Sequence, residues 1–187
     1  DRTLVEGKVP ANDVNEEVVY TPNSDTAYKV LHYIENLDGT WKLEITEELT
    51  GTTNTTANAV PKEFTGFTFD ETLGKLSGNI EADGSLVLEV YYTRNSYDLT
   101  VEYVMADGTK APEKYTATLK FGETYSVTSP EVLGYVADRL VVDGTMPAEN
   151  VTEQVVYTPR DDTKYTVIHY TENLDGTWNP EVTEELS

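Results

Sequence analysis

A chain of 187 residues with 34 acidic and 13 basic side chains carries a formal net charge of −21. This excess of acid excludes non-specific binding to nucleic acid and to anionic membrane surfaces, because both require clusters of Lys and Arg. A hydrophobic fraction of 38% with 13 tyrosines predicts small folded cores rather than a disordered acidic tail. With no cysteine, the chain has no disulfide framework, thiolate nucleophile or zinc ribbon.

The last fifty residues of the chain largely repeat the sequence of the first fifty. Residues 138–187 match residues 1–50 at 31 of 50 positions, at a constant offset of 137. The shared text includes VVYTP, at 18–22 and 155–159, and then HY-x-ENLDGTW. A single globular domain does not begin and end with the same text, so the sequence predicts a window cut from a longer tandem array.

A weaker repeat divides the 137-residue period into two diverged modules, A and B. Tyr28, Tyr97 and Tyr165 each open a strand-like run, at spacings of 69 and 68 residues. The predicted division is the end of a preceding B module at 1–23, module A at 24–95, module B at 96–160 and the opening of a following A module at 161–187. Modules of this size are near the lower limit for independent folding, so the stability of each is expected to depend on the neighbouring modules.

Alternating apolar and polar residues predict β-strands in both modules. Residues 97–103 place Tyr97, Leu99, Val101 and Tyr103 on one face, which is typical of a half-buried strand. The closing stretches 85–93 and 152–158 are rich in β-branched and aromatic residues, as central strands require. Asp-Gly pairs tolerate positive φ and predict hairpin turns at 38–39, 83–84, 107–108, 143–144 and 175–176.

One short helix per module is also predicted. In module B, Ser129 can cap a helix, Pro130 suits its first position and Gly134 can close it. The corresponding stretch of module A is 61–66. Short linkers between modules, some containing proline, predict a semi-rigid, extended rod.

Three sequence stretches of module B form a recognisable pattern: LTVEYVMADGTK at 99–110, FGETYSVTSPEVLGYV at 121–136 and VTEQVVYTP at 151–159. This pattern resembles the mucin-binding-protein (MucBP) repeats of Gram-positive surface adhesins. Module A, with YKVLHYIENLDGTW, EFTGFTFDE and ADGSLVLEVYYTRN, looks like a related extended module. Internalin-type B repeats are the next nearest resemblance.

The resemblance implies a mostly β (α+β) fold: tandem β-grasp-like modules of mixed strands, each with one short helix. It also implies an exported, extracellular protein on a bacterial cell surface, anchored to the cell wall. The implied partners are mucin or other host glycans, together with neighbouring repeats of the same chain. No cofactor is implied.

Catalysis finds little support in the residues. The two histidines, His32 and His169, are one site seen twice at the 137-residue offset, so two histidines cannot meet within a module. His32 takes the strand position that Tyr103 holds in module B, which favours a packed, half-buried imidazole over a general base. Adjacent glutamates point to opposite faces of a strand, so they do not form a glycosidase pair. The chain is therefore not predicted to be an enzyme.

The candidate ligand-binding residues are aromatic. Trp41 and Trp178 each follow a predicted hairpin turn, and Tyr33 and Tyr170 precede the same turns. A tryptophan in such a place usually packs on a strand face or against a neighbouring module, whereas an exposed one could stack on a sugar. Both interpretations remain open at this point.

Two further kinds of site have only weak candidates. Asp161 and Asp162, or Asp25 with its neighbours, could offer hard oxygen ligands to calcium near a junction, although no spacing matches a 12-residue calcium loop. A Lys-to-Asn isopeptide bond could replace the missing disulfides. Its candidates are Lys29, Lys75 and Lys120 with Asn79 or Asn150.

Two functional classes follow from the repeats. The first is an adhesin stalk whose modules contribute weak, multivalent binding to mucin or host glycans. The second is a structural spacer or fibre-forming repeat with no ligand of its own. Identity spread evenly over turns, core and acidic residues indicates duplication of a length unit, which fits a stalk in either class.

Overall fold

The computed structural model describes residues 4–187, so the first three residues of the predicted 1–23 segment lie outside the described part. The described residues form fourteen β-strands and no helix. They fall into two compact units, one up to residue 95 and the other at 96–187, and each unit has its own strands. Since residues 4–187 contain no helix, none is long and apolar enough to cross a membrane.

The first unit contains a four-stranded mixed sheet and a small two-stranded sheet. Its strands are β1 Thr26–Glu35, β2 Trp41–Gly51, β3 Thr56–Asn58, β4 Phe67–Lys75, β5 Ser77–Asn79 and β6 Val87–Arg94. The large sheet has the order β2-β1-β6-β4, in which β1 and β6 are parallel and the other pairs antiparallel. Strands β3 and β5 pair with each other.

Period-two alternation decides which face of this sheet is buried. Val30, Leu88, Val90 and Tyr92 point inward and are at most 1% exposed. Phe64 and Phe69 pack against this cluster from outside it. The residues that alternate with the inward-pointing ones on β1 and β6 therefore point to the opposite face, which we call the outer face of the sheet.

The second unit repeats this arrangement with a different set of strands. Its strands are β7 Ser96–Met105, β8 Tyr115–Lys120, β9 Thr124–Thr128, β10 Tyr135–Ala137, β11 Val141–Thr145 and β12 Val151–Pro159. The large sheet has the order β10-β12-β7-β8, with β12 and β7 parallel. Closing strand β12 lies in its middle, as β6 does in the first unit, so the prediction that the apolar closing stretches are central strands is confirmed.

Residues of the repeated hairpin form β13 Tyr165–Glu172 and β14 Trp178–Leu186. This hairpin has the register of the β1–β2 hairpin, including a bulge at the same place, between His169 and Tyr170 in one copy and between His32 and Tyr33 in the other. Asp38 and Asp175 make the turns, because each accepts hydrogen bonds from the backbone and hydroxyl of the threonine two residues on. The glycines after them adopt positive φ.

The predicted short helices are wrong. Residues 61–66 and 129–134 are irregular and each ends in a single turn, closed by hydrogen bonds from Phe67 N to Phe64 O and from Tyr135 N to Val132 O. A stretch this short cannot repay the cost of a helical nucleus. The β-grasp detail, which needs a helix across the sheet, is not supported in residues 4–187, whereas a mostly β fold of mixed strands is present.

In each unit, a tyrosine of the closing strand forms a hydrogen bond with the backbone of this irregular stretch. In the first unit the Tyr92 hydroxyl accepts a hydrogen bond from Lys62 N at 2.7 Å. In the second unit the Tyr157 hydroxyl instead donates to Pro130 O at 2.5 Å. Pro130 has no N–H to offer, so the hydroxyl serves as a donor there.

The predicted turn at Asp143-Gly144 is also wrong. Both residues lie inside β11, where Gly144 pairs with Tyr125 of β9. A Cβ on Gly144 would stand 2.6 Å from the Tyr125 hydroxyl. The glycine leaves room for the Tyr125 side chain, which lies over the strand, and does not form a turn.

Candidate functional site

Three aromatic side chains lie together on the outer face of the first unit's sheet. Tyr33 of β1 and Tyr91 of β6 are direct neighbours across the parallel pair, and their rings stack with centroids 4.9 Å apart and planes 13° apart. Trp41, the first residue of β2, meets Tyr91 edge to face at 4.9 Å. We call Tyr33, Trp41 and Tyr91 the outer aromatic cluster. None of the three belongs to the buried core, so the core does not account for their presence.

A bulge in β4 builds a wall beside this cluster. The pairing of β4 with β6 jumps from Asp70 opposite Tyr91 to Lys75 opposite Glu89, so four residues are looped out between them. Gly74 ends the loop with a φ of +80°, and a Cβ there would stand 2.3 Å from the Glu89 carbonyl oxygen. Glycine is required at this position both by the positive φ and by the close backbone.

The bulge and the cluster enclose a shallow, open pocket. It is lined by Trp41, Leu73, Gly74, Lys75, Glu89 and Tyr91, and we call it the bulge pocket. One wall is aromatic and one is the apolar Leu73, and Glu89 of β6 and its backbone partner Lys75 of β4 also line the pocket. A few polar groups set in an apolar surround are the usual composition of a small-molecule site.

Tyr91 keeps its proton in this environment. Burial, and then the nearby charge of Glu89, raise the pKa of the Tyr91 hydroxyl above its usual value. The group therefore stays neutral throughout the physiological range and remains able to donate a hydrogen bond.

The ligand-binding residues predicted from the sequence have different surroundings in the two copies. Tyr33 and Trp41 both contact Tyr91, which brings them together. Their counterparts Tyr170 and Trp178 lie on the β13–β14 hairpin and are more exposed, at 54% and 61% against 36% for Trp41. The described part of the chain gives that hairpin no strand equivalent to β6 or β4. The ligand-binding role of all four remains a prediction.

The second unit has no aromatic cluster at the matching place. Counting from the closing tyrosines Tyr92 and Tyr157, the positions of Tyr33 and Tyr91 are taken by Val104 and Val156, which are also partners across a parallel pair. The outer aromatic cluster is thus a property of module A among the described residues.

Sequence reasoning missed Tyr91, Gly74 and Glu89, and it considered Lys75 only for a crosslink. A signal for the bulge was present, because a glycine inside the strand-like run 67–75 indicates a bulge or a close approach. Nothing in the sequence places Tyr91 beside Trp41, because the two are fifty residues apart and meet only when β6 inserts beside β1.

His32 is the centre of a buried polar network rather than a general base. Its side chain is fully buried, with Nδ1 2.9 Å from the Tyr92 hydroxyl and Nε2 2.8 Å from Glu47 Oε2. Lys62 completes a ring, because its Nζ contacts Glu47 Oε1 at 2.7 Å and its backbone N donates to Tyr92. Each group in the ring has a partner, so the network joins β1, β2, β6 and the 61–66 stretch. The prediction of a packed imidazole at the position of Tyr103 agrees with this geometry.

Acid is expected to weaken this network. Hydrogen bonds from Lys62, and then from His32, lower the pKa of Glu47 below its usual value of 4.5. A lowered pKa means that Glu47 stabilises the fold above about pH 4.5 and that this contribution is lost as pH falls through the folded-state pKa. We expect Glu47→Gln to reduce stability at pH 7 and to flatten the loss of stability below pH 4.5. Urea unfolding of both proteins at several pH values measures this, and parallel curves for the two would contradict it.

The acidic candidates do not form a metal cluster in the described residues, and the Lys-to-Asn crosslink stays a prediction. In residues 4–187 no group of three or more His, Cys, Asp or Glu side chains could hold a metal ion. Asp162 instead pairs with the guanidinium of Arg160, and Asp25 and Asp161 are exposed. Lys29 lies 3.1 Å from Glu48, and Asn150 accepts a hydrogen bond from Asp98 N.

Two mixed sheets, each with a central parallel strand that carries a buried tyrosine two residues before its end, are the architecture of a protein built from tandem β-modules. The MucBP domain model matches the chain twice, at residues 30–93 and 98–158. These matches cover more than half of the chain, and the chain belongs to the MucBP domain family. The family consists of repeats of cell-surface adhesins and is not a known enzyme family.

The chain is also similar to a curated protein and to solved structures of other bacterial proteins. Internalin J of Listeria monocytogenes is 27% identical over 158 residues, which is 82% of this chain and 18% of that protein. The chain thus spans less than a fifth of that relative. The type 2 repeat of the mucus binding protein MUB from Lactobacillus reuteri is 17% identical, with a TM-score of 0.32, over 72% of this chain and all of that one. The Bacillus anthracis TIE protein is 11% identical, with a TM-score of 0.47, over 88% of this chain and 42% of that one.

Proposed function

We propose that the chain is a stalk segment of an exported, cell-wall-anchored bacterial adhesin, and that module A adds weak binding to host glycans. In this proposal the array alternates modules at 24–95 and 96–160, flanked by the end of a B module at 1–23 and the start of an A module at 161–187. The chain carries no catalytic role. The repeats project the protein from the surface and present the same sites at intervals.

The observation that carries the glycan role is the outer aromatic cluster. Three large rings on the outer face of a sheet are costly to expose to water, and the cluster contributes nothing to the buried core. A pyranose ring has an apolar C–H face that can pack on an aromatic ring, while its hydroxyls need polar partners. The bulge pocket offers both kinds of surface side by side.

Repetition explains how weak sites serve adhesion in the proposed array. Tyr33 and Trp41 recur as Tyr170 and Trp178 at an offset of 137 residues, in the start of a following A module. Where each A module of the array completes its own site, linking such sites raises the effective concentration of each later binding step, so avidity can exceed single-site affinity by about 10²–10⁴. A millimolar site is then sufficient for a multivalent mucin surface.

Retention of the whole chain on immobilised mucin tests the proposal. We expect saturable retention that is lost when the mucin glycans are destroyed by mild periodate, since only the sugars would be recognised. Albumin-coated surfaces serve as the control for non-specific adsorption. No retention above that control would contradict glycan binding and leave the spacer function.

A further inference from the structure

The geometry of the bulge pocket points to a neutral hexopyranose as its ligand, and we propose that the pocket is a subsite for an uncharged sugar. This inference rests on the proposed function, because it names the class of sugar that module A would bind. It also limits the binding to one place on the module.

The aromatic wall is preorganised. One face of the Tyr91 ring is covered by Tyr33, and Trp41 stands at 82° to it, so the three rings fix one another. Tyr91 is only partly buried and Trp41 is 36% exposed, which leaves apolar surface for a sugar face. Rings already held in place lose little side-chain entropy when a ligand binds.

A carboxylate of the pocket stands where sugar hydroxyls would reach it. Glu89 precedes Tyr91 by two residues on β6 and so lies on the same outer face. Lys75, its backbone partner on β4, also lines the pocket, but its Nζ lies beside Gly78, 3.4 Å from where a Cβ on that glycine would stand. A carboxylate can accept hydrogen bonds from two adjacent hydroxyls. Glu89 therefore supplies the acceptor that the hydroxyls of a sugar need.

Charge decides between a neutral and an acidic sugar. Glu89 carries the charge beside the Tyr91 ring, while the Lys75 ammonium lies beside Gly78, so an anionic ligand would meet a repulsion at close range. Glu71 lies in the adjoining bulge loop, and the whole chain carries −21. The surrounding field therefore opposes an anionic sugar and is indifferent to a neutral one.

The chain supplies its own internal control. It has two tryptophans, and Trp178 occupies the position of Trp41 on a hairpin to which the described residues 96–187 bring no bulge strand. A sugar that needed only an exposed tryptophan and tyrosine would bind both copies. A sugar that needs Glu89 and the bulge would bind only the first.

Titration of the ¹⁵N-labelled whole chain with galactose and, separately, with N-acetylneuraminic acid tests the inference through the two indole N–H signals. We expect galactose to shift the Trp41 signal saturably with a Kd of about millimolar order, which is usual for a single weak site. The Trp178 signal should shift far less. Glu89→Gln should weaken galactose binding about tenfold or more, while Trp178→Ala should leave it unchanged.

Three results would overturn the inference, and mucin retention measured on the same protein shows which proposal falls. A shift with N-acetylneuraminic acid but not with galactose would make the sugar class wrong. Equal shifts of both tryptophan signals would make the bulge irrelevant. No shift with either sugar would remove the pocket as the site. Retention on mucin in any of these cases would leave the proposed glycan binding in place. Loss of retention would end both the pocket and the glycan binding and would leave the spacer function.

Discussion

Replacing His32 with alanine is expected to destabilise module A by about 3 kcal/mol, since the change removes a buried side chain and its two polar contacts together. The imidazole is fully buried between the Tyr92 hydroxyl and Glu47. Its removal leaves a cavity in the core and takes one partner from each of those groups. Amide hydrogen exchange of the β6 residues measures the opening free energy of this module alone.

His169→Ala is the matched control, because it makes the same change in the repeated hairpin. That side chain is 54% exposed and lies 3.9 Å from Glu184. Exposed ion pairs contribute about 0–1 kcal/mol, so His169→Ala should have little effect. Equal effects of the two substitutions would show that the buried network does not stabilise module A.

Gly74→Ala is expected to cost about 3 kcal/mol or more and to distort the bulge pocket. A residue with a side chain pays about 1–2 kcal/mol for the left-handed conformation alone. The added Cβ would also stand 2.3 Å from the Glu89 carbonyl oxygen and 2.8 Å from the Tyr91 ring, so β4 and β6 must separate. Denaturant unfolding followed by tryptophan fluorescence measures the loss.

Gly39→Ala separates the two contributions. Gly39 has a φ of +81°, nearly that of Gly74, but a Cβ there meets nothing within 4 Å. It should therefore cost only the conformational penalty of about 1–2 kcal/mol. A Gly74→Ala protein no less stable than Gly39→Ala would show that the close approach of the bulge to β6 is not a constraint.

Local sequence specified the hairpins of this fold well. The β1–β2 and β13–β14 hairpins share their register, their Asp-Gly-Thr turns and even their bulge, although the surroundings of the two copies differ. Turn chemistry and alternation are short-range properties, so they can be predicted from text alone. The same argument failed at Asp143-Gly144, which lies inside β11 with the Tyr125 side chain of the neighbouring strand over the glycine.

The burial of a side chain could not be predicted from the local sequence, because two identical stretches differ in it. VVYTP at 155–159 lies in β12, with Tyr157 1% exposed, whereas VVYTP at 18–22 is in no strand and Tyr20 is 82% exposed. Strand β12 is held between β7 and β10. Residues 4–23 contain no strand to provide such neighbours in the described chain. A central strand is stabilised by its partners, which are distant in sequence.

The candidate site shows the same division. Trp41 and Tyr33 could be named from the hairpin that carries them, because aromatic residues beside a turn are visible in the sequence. Tyr91 and Glu89 belong to a strand that pairs in parallel with β1 after a long connection. The pocket is formed by that pairing and by the bulge of β4, which no local pattern encodes.

Binding of the Trp41→Ala and Trp178→Ala proteins to immobilised mucin tests the central claim most directly, with the intact chain as reference. If module A's outer aromatic cluster binds glycans, Trp41→Ala should lower the affinity about tenfold or more while the melting temperature of the chain changes little. Trp178→Ala should lower the affinity for mucin far less. Retention that is unchanged by Trp41→Ala would contradict the account and move the binding away from this cluster.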